Sequence, residues 1–290
     1  PTTYQNTRKY LNILIKDYFS DIRIESISVS MMQQIVLKLS KRYTAYSLYL
    51  SVVNRVFKFA MSLGIVQANP VDRIIRPKQQ PPKSEKIALT KEELNQFLTL
   101  AKEHARPVLY AAWHTLAYTG LRKGELLGLE WSDIDLDNKV ISVQHNLVMV
   151  NGKYRIQSPK TRKSIRKITI DDTTASVLKS WKLEQKKLFF KNGVKNSNIV
   201  FSGSSGEYLD KSHFRVSLKK FLKRYDLPAI TVHGLRHTHA SLLFEAGVEP
   251  KTISDRLGHA NIQTTLDMYT HLNDNQRSDV ADRLLKFLEA

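Results

Sequence analysis

The sequence predicts a mainly α fold with a small antiparallel β-sheet, an α+β chain in two parts. Three observations carry this. Apolar residues recur at helical spacing through most of the 290 residues. Alternation with a period of two is confined to one stretch between residues 140 and 170. A basic, proline-containing stretch, residues 75–88, interrupts the helical pattern.

Taken in order, Tyr10, Leu11, Leu14, Ile15 and Tyr18 recur with helical spacing, and so do Met32, Ile35, Val36 and Leu39 in a second helix that Ser28 or Ser30 can cap. A longer helix covers residues 45–62, with Leu48, Val52, Val56, Phe59 and Leu63 as its apolar stripe. Gly64 closes it, where a left-handed residue ends a helix. These elements make a helical unit over residues 1–74. Lys41, Arg42, Arg55 and Lys58 lie off the stripes, either as solvated surface or as contacts to a polyanion. The stretch that follows holds Pro77, Pro81 and Pro82 among Arg73, Arg76, Lys78, Lys83 and Lys86. Proline lacks a backbone donor and disfavours helix before it, so an extended linker results. Its charge suits a path along a phosphate backbone.

The second unit is residues 89–290. Thr90 and Glu93 form a capping box that opens a helix through residue 103. Another helix spans residues 106–119 and stops at Gly120, and a third carries Glu125, Leu126, Leu127 and Leu129. Val140, Ser142 and Val143 begin the β region. Asn151-Gly152 signals a tight turn between residues 147–150 and 154–156, and Ile165, Ile168 and Ile170 mark a third strand. Helices return from residue 172 onward.

Lys and Arg number 45 against 27 Asp and Glu, a formal charge of +18. Basic side chains that neutralise phosphates release condensed counterions, so nucleic acid is the expected partner. An anionic membrane is the rival, but the most apolar stretch, residues 108–116, is interrupted by His114 and too short to span a bilayer. There is no cysteine, which excludes disulfides, thiolate chemistry and Cys-ligated zinc. No basic-then-apolar leader opens the chain, so a cytoplasmic setting is expected.

Five separated places hold reactive side chains. Arg122 and Glu125 are three apart at a helix start, alone an ordinary surface ion pair. Lys160 follows Pro159 in a loop between two predicted strands, where a lysine is usually solvated. His233 and Arg236 share a helix face opposite Leu235, Leu242 and Ala246. His233 and His237, four apart, have metal-ligand spacing, but no carboxylate sits between them and Arg236 would repel a cation, so no metal is expected. His259 follows Leu257-Gly258. Tyr269 lies on a predicted helix, where a tyrosine is more often a half-buried core residue.

Together and in this order, the five places resemble the tyrosine recombinase (phage integrase) family. Residues 120–126, Gly-Leu-Arg-Lys-Gly-Glu-Leu, resemble its first arginine box, and residues 233–238 its His-x-x-Arg box. Leu257-Gly258-His259 followed by Tyr269 resembles its closing box, and Lys160 its hairpin lysine. The resemblance implies a helical core-binding domain followed by a tyrosine-recombinase catalytic domain. It implies an enzyme that cuts and rejoins DNA through a 3′-phosphotyrosine, with Tyr269 as nucleophile. Arg122 and Arg236 would grip the nonbridging phosphate oxygens through planar guanidinium forks, with Glu125 supporting Arg122. His233 would take the phenol proton, Lys160 would protonate the leaving 5′-oxygen, and His259 would donate to a nonbridging oxygen. No metal, ATP or other cofactor is implied.

The implied partners are double-stranded DNA attachment sites, three further protomers in a homotetramer, and accessory DNA-bending or directionality proteins, with no membrane. Arg42, Arg76, Lys78 and Lys83 are candidate DNA contacts. The C-terminal helix, with Val280, Leu284, Phe287 and Leu288 on one face, either docks on a neighbouring protomer or packs on its own core. The nucleoid of a bacterial host is the expected location. An integrase of a phage or mobile element is favoured, partly because Pro1 in place of an initiator Met fits a longer parent chain with an N-terminal DNA-binding domain. A chromosome-resolving recombinase, a type IB topoisomerase-like enzyme and a catalytically silent DNA-binding regulator are the alternatives.

Overall fold

The computed structural model describes residues 2–78, 87–158, 164–259, 261–263 and 265–266. The chain falls into two compact units, Pro1–Lys83 and Ser84–Ala290.

In the first unit, helix α1 (Thr2–Leu14) runs on into a wider π turn, Ile15–Phe19, and is followed by α2 (Val29–Arg42) and α3 (Tyr46–Ser62). Ser28, not Ser30, caps α2, its hydroxyl accepting the Met31 N–H at 3.2 Å. Leu14, Met32, Ile35, Val36 and Leu39 meet Tyr46, Tyr49, Leu50, Val53 and Phe57 of α3 in one core. The expected stripe of α3 is therefore corrected. Of its members only Val52 is buried, while Leu48, Val56, Phe59 and Leu63 face solvent. This helix is apolar on two faces, and spacing alone does not choose between them. The aromatic face wins because its larger rings bury more area: Tyr49 packs on Tyr10 and Tyr43 with centroids 4.7 and 4.6 Å apart. Gly64 closes α3 as expected, at φ +70°. Beyond it, Gln33 hydrogen-bonds both the N–H and the C=O of Ile75, and the Tyr46 hydroxyl donates to the Pro77 carbonyl at 2.9 Å. Residues 75–77 thus stay fastened to the helical unit.

The second unit opens with α4 (Lys91–His104), whose capping box is complete. Next, α5 (Pro107–Thr119) is buried along most of its length and runs through the centre of the core, against Phe97, Leu178, Phe221 and Leu235. It ends at Gly120, in the left-handed conformation, and α6 (Lys123–Leu127) follows at once.

The expected single sheet is two. Strands β1 (Ile134–Asp135), β2 (Val140–Val143) and β5 (Arg166–Thr169) form one antiparallel sheet in the order β1-β2-β5. Strands β3 (Asn146–Val150) and β4 (Lys153–Gln157) pair with each other and with no other strand among the described residues, around Asn151 and Gly152, both at positive φ as a tight hairpin turn requires. This ribbon leaves the sheet because it has other partners. Gly124 and Gly128 let α6 lie directly on β3: a Cβ at Gly124 would stand 3.1 Å from the Leu147 carbonyl oxygen. Tyr154 donates to Asp210 at 2.6 Å, the residue that caps α8. Strands β4 and β5 thus belong to different sheets.

Helices α7 (Asp172–Lys191), α8 (Lys211–Arg224), α9 (Val232–Glu245) and α10 (Pro250–Leu257) complete the described part of the unit. No helix among the described residues is long and apolar enough to cross a membrane.

The α5–α6 break leads to a stability prediction. A Cβ at Gly120 would stand 2.5 Å from Leu257 Cδ2 and 2.7 Å from His239 Cδ2. Gly120→Ala should cost about 2–4 kcal/mol, combining left-handed strain with overpacking. Gly64→Ala, with the same strain but open space around it, should cost only about 1–2 kcal/mol. Urea unfolding midpoints of the two variants check the difference.

Candidate active site

Arg122 occupies the corner between α5 and α6. It is the N-cap residue of α6, so the pair with Glu125 lies at the helix start. Glu125 is the third residue of α6 and bends back on it. One carboxylate oxygen accepts the Arg122 N–H at 2.9 Å and the other accepts Arg122 Nη1 at 2.7 Å. This is no surface ion pair, for Glu125 is only 3% exposed. Arg122 itself keeps 38% of its side chain in solvent, and its Nη2 donates to the Gly258 carbonyl at 2.8 Å.

Arg236 arrives from α9. It is almost wholly buried, and burial followed by the positive charge of Arg122 pulls its pKa down to about 9. Its Nη1 donates to the Gly120 carbonyl at 2.7 Å and its Nη2 to the Leu257 carbonyl at 2.9 Å. Its Nε has no partner among the described residues. The two expected arginines therefore converge on consecutive carbonyls, Leu257 and Gly258, at the end of α10. Gly258 takes the left-handed conformation there and turns the chain toward His259.

A third arginine completes the cluster. Arg166, at the start of β5, is 7% exposed and sends Nη2 to Glu125 at 3.0 Å and Nε to the Arg256 carbonyl at 2.6 Å. Burial raises the Glu125 pKa, but Arg166 and Arg122 more than offset this and hold it below the usual carboxylate range. Three guanidiniums around one carboxylate leave a net positive centre, suited to an anion.

His233 and His259 are neutral at neutral pH. His233, two residues into α9, is pushed down to about 4 by crowding against protein, then by His237, Arg236 and Arg122. His259 is buried, also at about 4, through burial and then Arg236, Arg122, His233 and Arg166; its Nδ1 lies 2.7 Å from Thr265 Oγ1. His237 stands edge-on to His233 with centroids 4.6 Å apart, and no group of His, Cys, Asp or Glu among the described residues could hold a metal ion.

The geometry thus brings together Arg122, Glu125, His233, Arg236 and His259. Lys160 and Tyr269 lie outside the described residues, as do Lys83 and the C-terminal helix from 267. In the first unit Arg42 pairs with Asp17 at 2.9 Å, and Arg76 and Lys78 are exposed. Sequence reading missed Arg166, Arg256 and His239. Arg166 shares the parity of Ile168 and Ile170 in an alternating strand, so a basic residue at an inward position was the available signal. Arg256 Nε donates to His239 Nε2 at 3.1 Å, and His239 Nδ1 faces the Ala117 carbonyl at 2.9 Å. Nothing in the sequence singles out that pair.

The fold is that of the tyrosine recombinases, enzymes that break and rejoin DNA with a tyrosine nucleophile. The chain belongs to the phage integrase family, whose model matches residues 88–276. It is 31% identical to the ICEBs1 integrase of Bacillus subtilis (strain 168) over 293 residues, 98% of this chain and 77% of that one. It is 28% identical to the integrase of Staphylococcus phage L54a over 312 residues, 99% of this chain and 87% of the other. The solved structure of the Tn1549 transposon integrase in complex with transposon right end DNA superimposes with a TM-score of 0.81 at 25% identity, covering 100% of this chain and 94% of that one.

The depressed histidines give a pH prediction. His114, His233, His239 and His259 titrate near 4 when folded against an ordinary 6.5. Between those values the unfolded chain binds protons that the folded chain does not, so stability falls as pH drops through this window. Urea midpoints should be level above pH 7 and decline from pH 6.5 toward 4. His114→Phe, in the core away from the arginines, should shallow that decline.

Proposed function

We propose that this recombinase cuts and rejoins double-stranded DNA at the attachment sites of a phage or other mobile element, with Tyr269 as the nucleophile. The observation that supports it most is the arginine pair: Arg122 and Arg236 held by adjacent carbonyls, with Glu125 behind Arg122. A phosphodiester attacked by an oxygen gains negative charge on its nonbridging oxygens. Fixed, charged forks stabilise that charge without reorganising. Arg122 and Arg236 take this role.

A phenol, with a pKa of about 10, must lose its proton as it attacks. His233, neutral at physiological pH, serves as the base. Lys160 protonates the departing 5′-oxygen. His259, anchored through Nδ1, donates from Nε2 to a nonbridging oxygen. The 3′-phosphotyrosine conserves the energy of the broken bond, and a strand's 5′-hydroxyl reverses the step. No residue in this scheme calls for ATP or a metal. Around the chemistry, residues 1–74 form a core-type DNA-binding domain and residues 75–88 a basic linker to a catalytic domain of residues 89–290. Arg42, Arg76, Lys78 and Lys83 contact the DNA backbone. Four protomers act together on two sites, assisted by DNA-bending or directionality proteins.

The test is a nicked suicide substrate carrying a candidate attachment site from the ends of the element. The chain should form a covalent protein–DNA adduct and Tyr269→Phe none, while Arg236→Ala slows adduct formation by about 10²–10³-fold. DNA binding without an adduct from the unaltered chain would favour a silent regulator.

A further inference from the structure

The buried Arg166 is not explained by phosphate binding, because each of its three nitrogens already serves an acceptor within the protein. Nε serves the Arg256 carbonyl, Nη1 the Ser164 carbonyl at 3.1 Å, and Nη1 and Nη2 face the two Glu125 oxygens at 3.4 and 3.0 Å. Arg122 differs. It spends one donor on Glu125 and one on Gly258, has no further acceptor among the described residues, and is far more exposed. One arginine faces outward and the other stands at the rear, with a single carboxylate between them.

We infer that Arg166 is a positioning residue for the strand-cleavage step: by sharing Glu125 it keeps that carboxylate from neutralising Arg122, and so holds Arg122 free to grip phosphate. The inference rests on the role proposed above for Arg122. A carboxylate with one cationic partner directs its whole charge at that partner. With two, each guanidinium retains net positive potential on its far side. Arg166 also sets the direction of Glu125, since its planar fork meets both oxygens, a geometry lysine cannot reproduce. Through the Arg256 carbonyl it fastens the last turn of α10, whose next two carbonyls hold Arg236 and Arg122. Arg166 therefore joins the first arginine box to the closing box from behind.

The experiment is a double-variant comparison on the nicked substrate, with single-turnover cleavage, DNA affinity and thermal midpoint measured for each protein. Arg166→Gln should slow cleavage at least tenfold, while DNA affinity and its salt dependence stay within twofold, since no phosphate contact is lost. Arg166→Lys, which keeps the charge and gives up the fork, should fall between the two. In a Glu125→Gln background, with no carboxylate to share, Arg166→Gln should cost less than threefold. A purely structural role would instead lower cleavage by the same factor in both backgrounds, and that result overturns the inference. So does Arg166→Gln cleaving within twofold of the unaltered chain. Where Arg166→Gln does not fold, the comparison of Glu125→Gln with Glu125→Gln/Arg166→Lys carries the same test. An unaltered chain that forms no adduct overturns the proposed function and this inference together. An intact adduct with an indifferent Arg166 overturns the inference alone.

Discussion

The catalytic unit depends on one buried carboxylate. Glu125 lies at the junction of α5, α6, β5 and α10, and its charge survives there only because Arg122 and Arg166 approach from two sides. Removing one partner of such a buried pair typically costs about 3–5 kcal/mol, since the other charge is left unpaired. That constraint explains much of the surrounding backbone. Gly120 must be left-handed and lack a side chain so that α5 can stop beside His239 and Leu257. Gly124 and Gly128 must be bare so that α6 can press onto β3 and turn Glu125 inward.

The arginines are held by backbone as much as by side chains. Carbonyls of Gly120, Arg256, Leu257 and Gly258 each accept from a guanidinium. A carbonyl can anchor a cation without neutralising it. The site thereby fixes three positive groups in place and keeps a net charge for an anion, which a set of matched carboxylates would cancel. His233 and His259 add no competing charge, because burial, and after it the positive groups around them, hold them neutral.

Much of this was legible in the sequence. Capping at Thr90, the stop at Gly120 and the Asn151-Gly152 turn are local, decided by residues within one turn of each other, and they form as read. The ordered boxes around Arg122, Arg236 and His259 pointed to residues that the fold brings together. What was not legible depends on distant partners. The choice between the two apolar faces of α3 was made by Tyr10 and Tyr43, outside that helix. The departure of the β3–β4 ribbon from the sheet was decided by α6 and α8. Arg166 gained its role from Glu125, 41 residues earlier, and from a carbonyl 90 residues later.

The separation of these contacts also governs when the site can exist. Arg122 reaches a carbonyl 136 residues further along, and Arg236 one that lies 116 residues back. Contacts closed over such spans form late, after the intervening chain has collapsed. During synthesis Arg122 leaves the ribosome well before Gly258 exists, and Gly258 precedes Tyr269. A nascent chain can therefore expose basic surface, but its arginine cluster lacks two backbone acceptors until Leu257 and Gly258 have been made. The order of synthesis thus withholds the assembled charge centre until both ends of these long-range contacts exist.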